Sequence, residues 1–370
     1  MRILVAMSGG VDSSVAAHLL QQDGHDLVGV RFLLWTDPDA PAAAQILPSK
    51  CCNPQTIHRA NTVAQQLGFP LHHVDIREEF KEKVVDHFLA EYQAGNTPNP
   101  CVLCNRVIKF AKLLELAEEL GCDKVATGHY ARIEKHGDAY RLLEAADKRK
   151  TQSYFLYSLS QETLSRTLFP LGAMRKEDVI ALGRTLGIPL PAQYEESQDV
   201  CFYPEKEPQA FLRRHLRGVE PGDIRDRGGR KVGMHRGLPF YTIGQRKGLG
   251  VGGLKVPLHV VEKDRGTNAI VVAPSGADLE SVIKAKDLRM IRGTPKDLQG
   301  KSCQVRVCSQ GKKHRGKLEI SGEKLQVNLA EPIRGIAPGQ AVVLYDGHEI
   351  LGGATICADP GKRAKAPERV

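Results

Sequence analysis

The chain has 370 residues, 41% hydrophobic and 26% charged, with nine cysteines and a formal net charge of +9. Such a composition fits a globular protein of two or three domains. No apolar run reaches the roughly 20 residues of a membrane span, and the apolar start MRILVAM is too short for a signal peptide. The sequence therefore predicts a cytoplasmic protein with no membrane partner, whose cysteines are catalytic, metal-binding or buried rather than a disulfide framework.

Residues 2–7, RILVAM, form an apolar run suited to a buried parallel strand. SGGVDSSVAAHLLQQDG follows, a turn and then a helix ending at Gly24. DLVGVRFLLW (26–35) is a second strand. A helix over 54–67 has Pro54 at its start and Gly68 just past its end. LHHVDI (71–76) is a third strand, 78–94 and 105–120 are helices, and DKVATG (123–128) is a fourth strand. This alternation predicts an α/β, doubly wound parallel-sheet nucleotide-binding domain with its ligand at the carboxyl ends of the strands.

After about residue 200 the texture changes. Beyond a helix at 208–217, short β-rich runs appear between turn residues: NAIVVAP, CQVRVCSQ, KLQVNLA, QAVVLYDG and EILGGATIC. They predict a small β-barrel. The expected domains are catalytic (1–204), linking (205–272) and barrel (273–358), with a flexible tail (359–370). Charge divides the same way. Residues 1–200 hold 21 Lys/Arg against 25 Asp/Glu, and residues 201–370 hold 31 against 18. A basic back half suits a polyanion. GKKHRGK (311–317) and RKGLG (246–250) are basic, glycine-bearing turns in it, of a kind that contacts phosphate.

A strand, then SGGVDSS, then a helix is the geometry of an anion site at a helix N-terminus. Gly9 and Gly10 let the backbone curl, and Ser8 and Ser13 add hydroxyls. Without a lysine it is not a GxxxxGK[ST] loop. Asp12 would repel phosphate there unless a cation intervenes, which implies Mg²⁺. Cys104 precedes a helix whose apolar residues fall on one face. A thiol near a helix N-terminus is biased toward thiolate, the nucleophilic form.

SGGVDSS resembles the pyrophosphate-binding loop of N-type ATP pyrophosphatases. TPNPCVLCN (97–105), IKF (108–110), ATGHYAR (126–132), KTQSYFLY (150–157), SQDVCF (197–202), YTIGQRKGLG (241–250) and LGGATI (351–356) narrow the resemblance to the tRNA-specific 2-thiouridylases, in the family's order over nearly the whole chain. The resemblance implies that ATP meets Ala6, Met7, Ser8, Gly9, Gly10, Val11, Asp12, Ser13, Phe32 and Gly128. It implies a target base beside Asn99, Pro100 and Cys101, and tRNA contacts at His129, Lys150, Thr151, Gln152, Arg306, Val307 and Gln340. It makes Cys104 the nucleophile and Cys201 the bearer of a persulfide supplied by a sulfur-carrying protein, with the tRNAs for Lys, Glu and Gln as acceptors. The two cysteines then end as a disulfide that a reductant resets.

Cys101 departs from the family, where Asp is common. That departure opens a second reading, an iron–sulfur cluster on Cys101, Cys104 and Cys201, with Cys51 and Cys52 as further thiols. Zinc is disfavoured because no second CxxC or paired His follows at ligand spacing. Two other function classes share the SGG loop: an amide ligase of the GMP or NAD synthetase type, and an RNA-binding protein that holds ATP as a structural ligand. The ligase class gives no reason for paired reactive thiols or a basic β-barrel.

Overall fold

The computed structural model describes residues 1–41, 54–190, 200–251, 256–274, 276 and 279–358. The expected tail, Cys51, Cys52 and the SQD of SQDVCF lie outside the described residues. In the front half the strands are β1 (Arg2–Ala6), β2 (Asp26–Leu33), β3 (Leu71–Asp75), β4 (Lys124–Ala126), β5 (Ala131–His136), β6 (Ala139–Glu144) and β7 (Thr167–Leu168). All but the β5–β6 hairpin join one parallel sheet, ordered β3-β2-β1-β4-β7. Ile3, Leu4 and Val5 are fully buried because helices cover both faces, which is why β1 reads as a continuous apolar run. Strand order reverses at β1 and β4, so the loops after them meet at a switch point, the crevice where such sheets bind ligands.

Helix α1 (Val11–Gln22) leaves the end of β1, and α2 (Pro54–Leu67) precedes β3. The helix expected at 105–120 starts earlier, at Pro100. Asn99 caps it, its side chain accepting from the Val102 N–H at 3.4 Å, and proline suits a first helical position. A π-helical turn over Asn105–Lys109 follows, and the helix runs on to Glu119.

The linking region is a four-stranded sheet of β8 (Gly222–Asp226), β9 (Lys231–His235), β10 (Leu258–Asp264) and β11 (Ala269–Pro274), ordered β10-β11-β8-β9. The run NAIVVAP therefore belongs here and not to the barrel. The barrel consists of β12 (Glu280–Met290), β13 (Ser302–Arg306), β14 (His314–Ser321), β15 (Lys324–Ile333), β16 (Ala341–Asp346) and β17 (Glu349–Ile356). Pairing of β12 with β17 closes it, around Ile283, Val305, Leu318, Val327, Val342 and Leu344.

The β5–β6 hairpin extends the barrel sheet: Leu142 and Leu143 pair with Ile350 and Glu349 of β17. Buried Glu349 locks that seam by accepting from Arg141 Nε at 2.7 Å and Arg292 Nη2 at 3.1 Å. One apolar cluster spans it, joining Val102 and Phe110 of the cysteine helix to Val343, Tyr345 and Ile350 of the barrel. The linking sheet also touches the cysteine loop. Lys263 Nζ donates to Tyr241 O at 2.8 Å, and the next residue, Thr242, places its hydroxyl 3.5 Å from that of Thr97.

Burial, with Arg265 nearby, pulls Lys263 down to about 7. The unfolded chain then holds one more proton than the fold between pH 7 and the ordinary lysine range, so stability rises with pH across that window. From pH 7 to 9 the wild type should gain about 2 kcal/mol over Lys263→Met. Chemical denaturation at the two pH values measures it, and equal pH slopes would show a lysine that stays charged in the fold.

Candidate active site at the carboxyl edge of the sheet

The turn after β1 is built around Gly9, whose φ is +77° and whose Cβ, if present, would stand 2.0 Å from the Thr56 carbonyl oxygen. Two buried arginines brace the turn from behind. Arg31 Nη1 donates to Ser8 O at 2.6 Å and Nη2 to Thr56 Oγ1 at 3.0 Å; Arg59 Nη1 donates to Gly9 O at 2.8 Å. Gly10 caps α1, and the Ser13 and Ser14 hydroxyls donate back to Gly10 O at 3.1 and 3.0 Å. With these carbonyls engaged, the first amides of α1 carry the positive charge that an anion meets. Gly128, after β4, packs on that helix start. A Cβ there would sit 2.8 Å from Asp12 C and from Ser13 N. Ala6, Met7 and Val11 flank the turn, and Met7 and Val11 are buried, so they can offer backbone only.

Asp12 already has a cation. Lys176 Nζ lies 2.6 and 2.8 Å from its two carboxylate oxygens, and the Tyr130 hydroxyl donates to it at 2.8 Å. The Lys176 side chain is only 5% exposed. Lys176 supplies the positive charge that the sequence argument asked of Mg²⁺, so Asp12 by itself no longer calls for a metal. Sequence reasoning missed this residue. The available signal was a lysine opening a helix (Lys176–Thr185), an end where cations are disfavoured.

Cys104 is buried with Ile76, Phe80, Ile108, Phe202 and Phe211 in one apolar cluster, and both Cys201 and Phe32 pack against it. Two cysteines far apart in sequence thus share a cluster at the carboxyl ends of β2 and β3, the same edge of the sheet as the Gly9 turn. Cys101 is exposed. The helix cap at Asn99 puts Cys101, not Cys104, nearest the positive helix end, and Cys104 lies a turn further in. Among the described residues the one set of three Cys, His, Asp or Glu ligand atoms within 4.8 Å of one another is Asp37, Asp39 and His215, not the cysteine trio. At that spacing the trio does not hold a single ion.

The cysteine loop is docked on the barrel. The Thr97 N–H donates to Pro338 O at 2.7 Å, and Gln340 Nε2 donates to Thr97 O and Pro98 O at 2.9 and 3.3 Å. Arg306 Nη1 pairs with buried Glu144 at 3.2 Å, and the same carboxylate meets Lys313 Nζ at 3.0 Å, His348 Nδ1 at 3.0 Å and Lys148 Nζ at 3.7 Å. Burial opposes ionisation of Glu144, but His348 and Lys313 outweigh it and hold its carboxyl below the usual range. Several basic groups on one carboxylate leave local positive charge at the junction of hairpin and barrel, suited to phosphate.

His129 lies between Phe110 and Phe169, with Nδ1 2.7 Å from Thr127 Oγ1. Burial and Lys109 hold it well below the ordinary histidine value, so the ring is neutral. Gln152 exchanges two hydrogen bonds with the Tyr130 backbone, and buried Thr151 accepts from the Ala145 N–H. Val307 is buried and Lys150 half-buried. The expected RNA contacts at 151, 152 and 307 thus have side chains already engaged in, or packed into, the fold.

Three domain families match in succession: a tRNA methyl transferase HUP domain at residues 1–205, a tRNA methyl transferase PRC-barrel domain at 209–274 and an aminomethyltransferase β-barrel domain at 280–356. The tRNA-specific 2-thiouridylase MnmA of Geotalea uraniireducens is 42% identical over 358 residues, covering 96% of this chain and 94% of that one. The chain belongs to the tRNA-specific 2-thiouridylase family. The MnmA proteins of Chloroflexus aurantiacus (43% identical, 96% of this chain and 98% of the relative) and Geobacter metallireducens (41%, 96% and 97%) agree.

For a 2-thiouridylase fold with this loop, Lys176→Met should leave Asp12 to oppose a nucleotide's phosphates. ATP affinity should fall at least about tenfold, with tRNA affinity within about twofold of wild type. Calorimetric titration with ATP checks this, and unchanged ATP affinity would remove Lys176 from the site.

Proposed function

We propose that this protein converts the wobble uridine of tRNA to 2-thiouridine, consuming ATP and releasing AMP and pyrophosphate. The observation that carries the reading is the gathering, at one edge of the parallel sheet, of an anion-binding turn and two cysteines in a shared apolar cluster. The relatives are named as tRNA-specific 2-thiouridylases, and sulfur chemistry explains the thiol pair better than the methyl-transfer names of the matching domains.

The uridine C2 oxygen attacks the α-phosphorus of ATP, and pyrophosphate leaves. The outer sulfur of a Cys201 persulfide attacks C2, and AMP departs with the C2 oxygen. The Cys104 thiolate then attacks the Cys201 sulfur. The sulfur–sulfur bond breaks, its electron pair stays on the sulfur at C2, and a Cys104–Cys201 disulfide forms. A thiol reductant resets the pair with two electrons. The base must leave its stack to reach the nucleotide. The Gly9 turn and Lys176 hold the phosphates, and the docked loop Asn99–Cys101 presents the base. Mg²⁺, where it accompanies the phosphates, would take Asp12 as its carboxylate and would compete with Lys176 for it. Acceptors are the tRNAs for Lys, Glu and Gln, and the sulfur donor is a persulfide-carrying protein. Domain limits follow at residues 204/205 and, because β11 runs to Pro274 within the linking sheet, beyond residue 274 rather than at 272/273.

The exposure of Cys101 and the apolar cluster that Cys104 shares with Cys201 support the persulfide over an iron–sulfur cluster. Cys104→Ser and Cys201→Ser should each lower tRNA thiolation at least about a hundredfold while tRNA affinity stays within about twofold. Full thiolation by either variant would overturn the mechanism. An anaerobically purified, fully active preparation should hold far less than one iron per chain. Stoichiometric iron and sulfide would favour the cluster.

A further inference from the structure

Cys201 sits in a stretch, residues 200–208, that is neither helix nor strand, yet Phe202 and Tyr203 beside it are buried. Such a segment needs external anchors, because no ladder of backbone bonds fixes it. Several contacts of this segment converge on Asp37, just past the end of β2. The Asp37 N–H donates to Phe202 O at 2.9 Å. Its side chain, 0% exposed, receives Arg214 Nε on Oδ2 at 2.8 Å, and His215 Nε2 stands 2.8 Å from Oδ1. The same Arg214 guanidinium reaches Glu205, Nη1 to Oε1 at 2.6 Å and Nη2 to Oε2 at 3.0 Å. Asp37 thus ties the carboxyl end of β2 to Phe202 within the Cys201 stretch and to the last residues of the following helix, Gln209–His215, whose Arg214 reaches back to Glu205. Trp35, Phe202, Phe211 and His215 pack tilted or edge-on against one another beside it, with ring centroids 4.6 to 6.5 Å apart.

A carboxylate this buried is costly unless paired, and the pairing here spends its charge on geometry. Asp39 brings the ligand atoms of Asp37, Asp39 and His215 within 4.8 Å of one another, but Arg214 already occupies Asp37 with a positive charge, which disfavours a metal ion there.

We propose that Asp37 is a positioning residue: its ion pair with Arg214 and its contact with His215 hold the irregular Cys201 segment against the apolar cluster that Cys201 shares with Cys104. The consequence for catalysis rests on the reading of Cys201 as the sulfur-bearing cysteine; the mechanical claim does not.

The test uses the full chain and its Asp37→Asn variant, with N-ethylmaleimide labelling of each cysteine followed by peptide mass spectrometry. Labelling of Cys201 should accelerate at least about tenfold while Cys104 stays within about twofold. In tRNA thiolation, kcat should fall at least about tenfold with KM for tRNA nearly unchanged, and Asp37→Glu should recover part of the loss. An unchanged Cys201 rate, or equal acceleration at both cysteines, would overturn the proposal. Should Asp37→Asn not fold, Arg214→Lys, which keeps the charge and loses the fork to Glu205, gives the same labelling readout against the same criteria. If Cys201→Ser retains full thiolation, the persulfide reading fails, while Cys201 labelling in Asp37→Asn still decides the latch.

Discussion

The hydrogen bond from the Thr97 amide to the Pro338 carbonyl, with Gln340 reaching back to Thr97 O and Pro98 O, fixes where the cysteine helix begins relative to the barrel. Gly339 makes the approach possible. Its φ is +92°, and a Cβ would stand 2.9 Å from Thr97 O. Asn99 and Pro100 then start the helix at once, so Cys101 and Cys104 inherit their positions from a contact made on the barrel. In the proposed reaction the barrel and the base-presenting loop are thereby joined at one junction, as a reaction between a held base and a held sulfur requires.

Buried carboxylates mark each of the joints around this junction. Glu349 joins hairpin to barrel, Glu144 gathers the basic groups at the same seam, and Asp37 ties β2 to the Cys201 stretch. Each has two or more basic partners, as burial of an ionised carboxylate demands. Asp12 follows the same rule in a more open place, with Lys176 and Tyr130. The charges in this protein therefore serve as fasteners between elements as well as surface for a polyanion.

Much of the fold could be read from residues alone. The four longer strands of the parallel sheet and α2 fall where apolar runs, Pro54 and Gly68 put them. The Gly9 turn was legible because glycines, serines and a following helix form a local signal. Elements with partners far away in the chain were less legible. The two-residue β7 and the β5–β6 hairpin carry little periodicity, and the hairpin's place on β17 depends on pairing with residues some two hundred positions on. The helix over 100–119 begins five residues before the expected 105, because Asn99 caps it and Pro100 opens it, a start set by two residues with no apolar periodicity.

By itself the sequence determined the local chemistry: a phosphate-suited turn, thiols at 101, 104 and 201, and a basic back half. Turns and helix starts are set by neighbours in the chain. Only the tertiary structure decided that Lys176 answers Asp12, that Cys104 and Cys201 share one apolar cluster, and that Gln340 holds the loop before the cysteines. Those pairings are bought by burial between distant segments, and neither residue of such a pair carries a local mark of its partner.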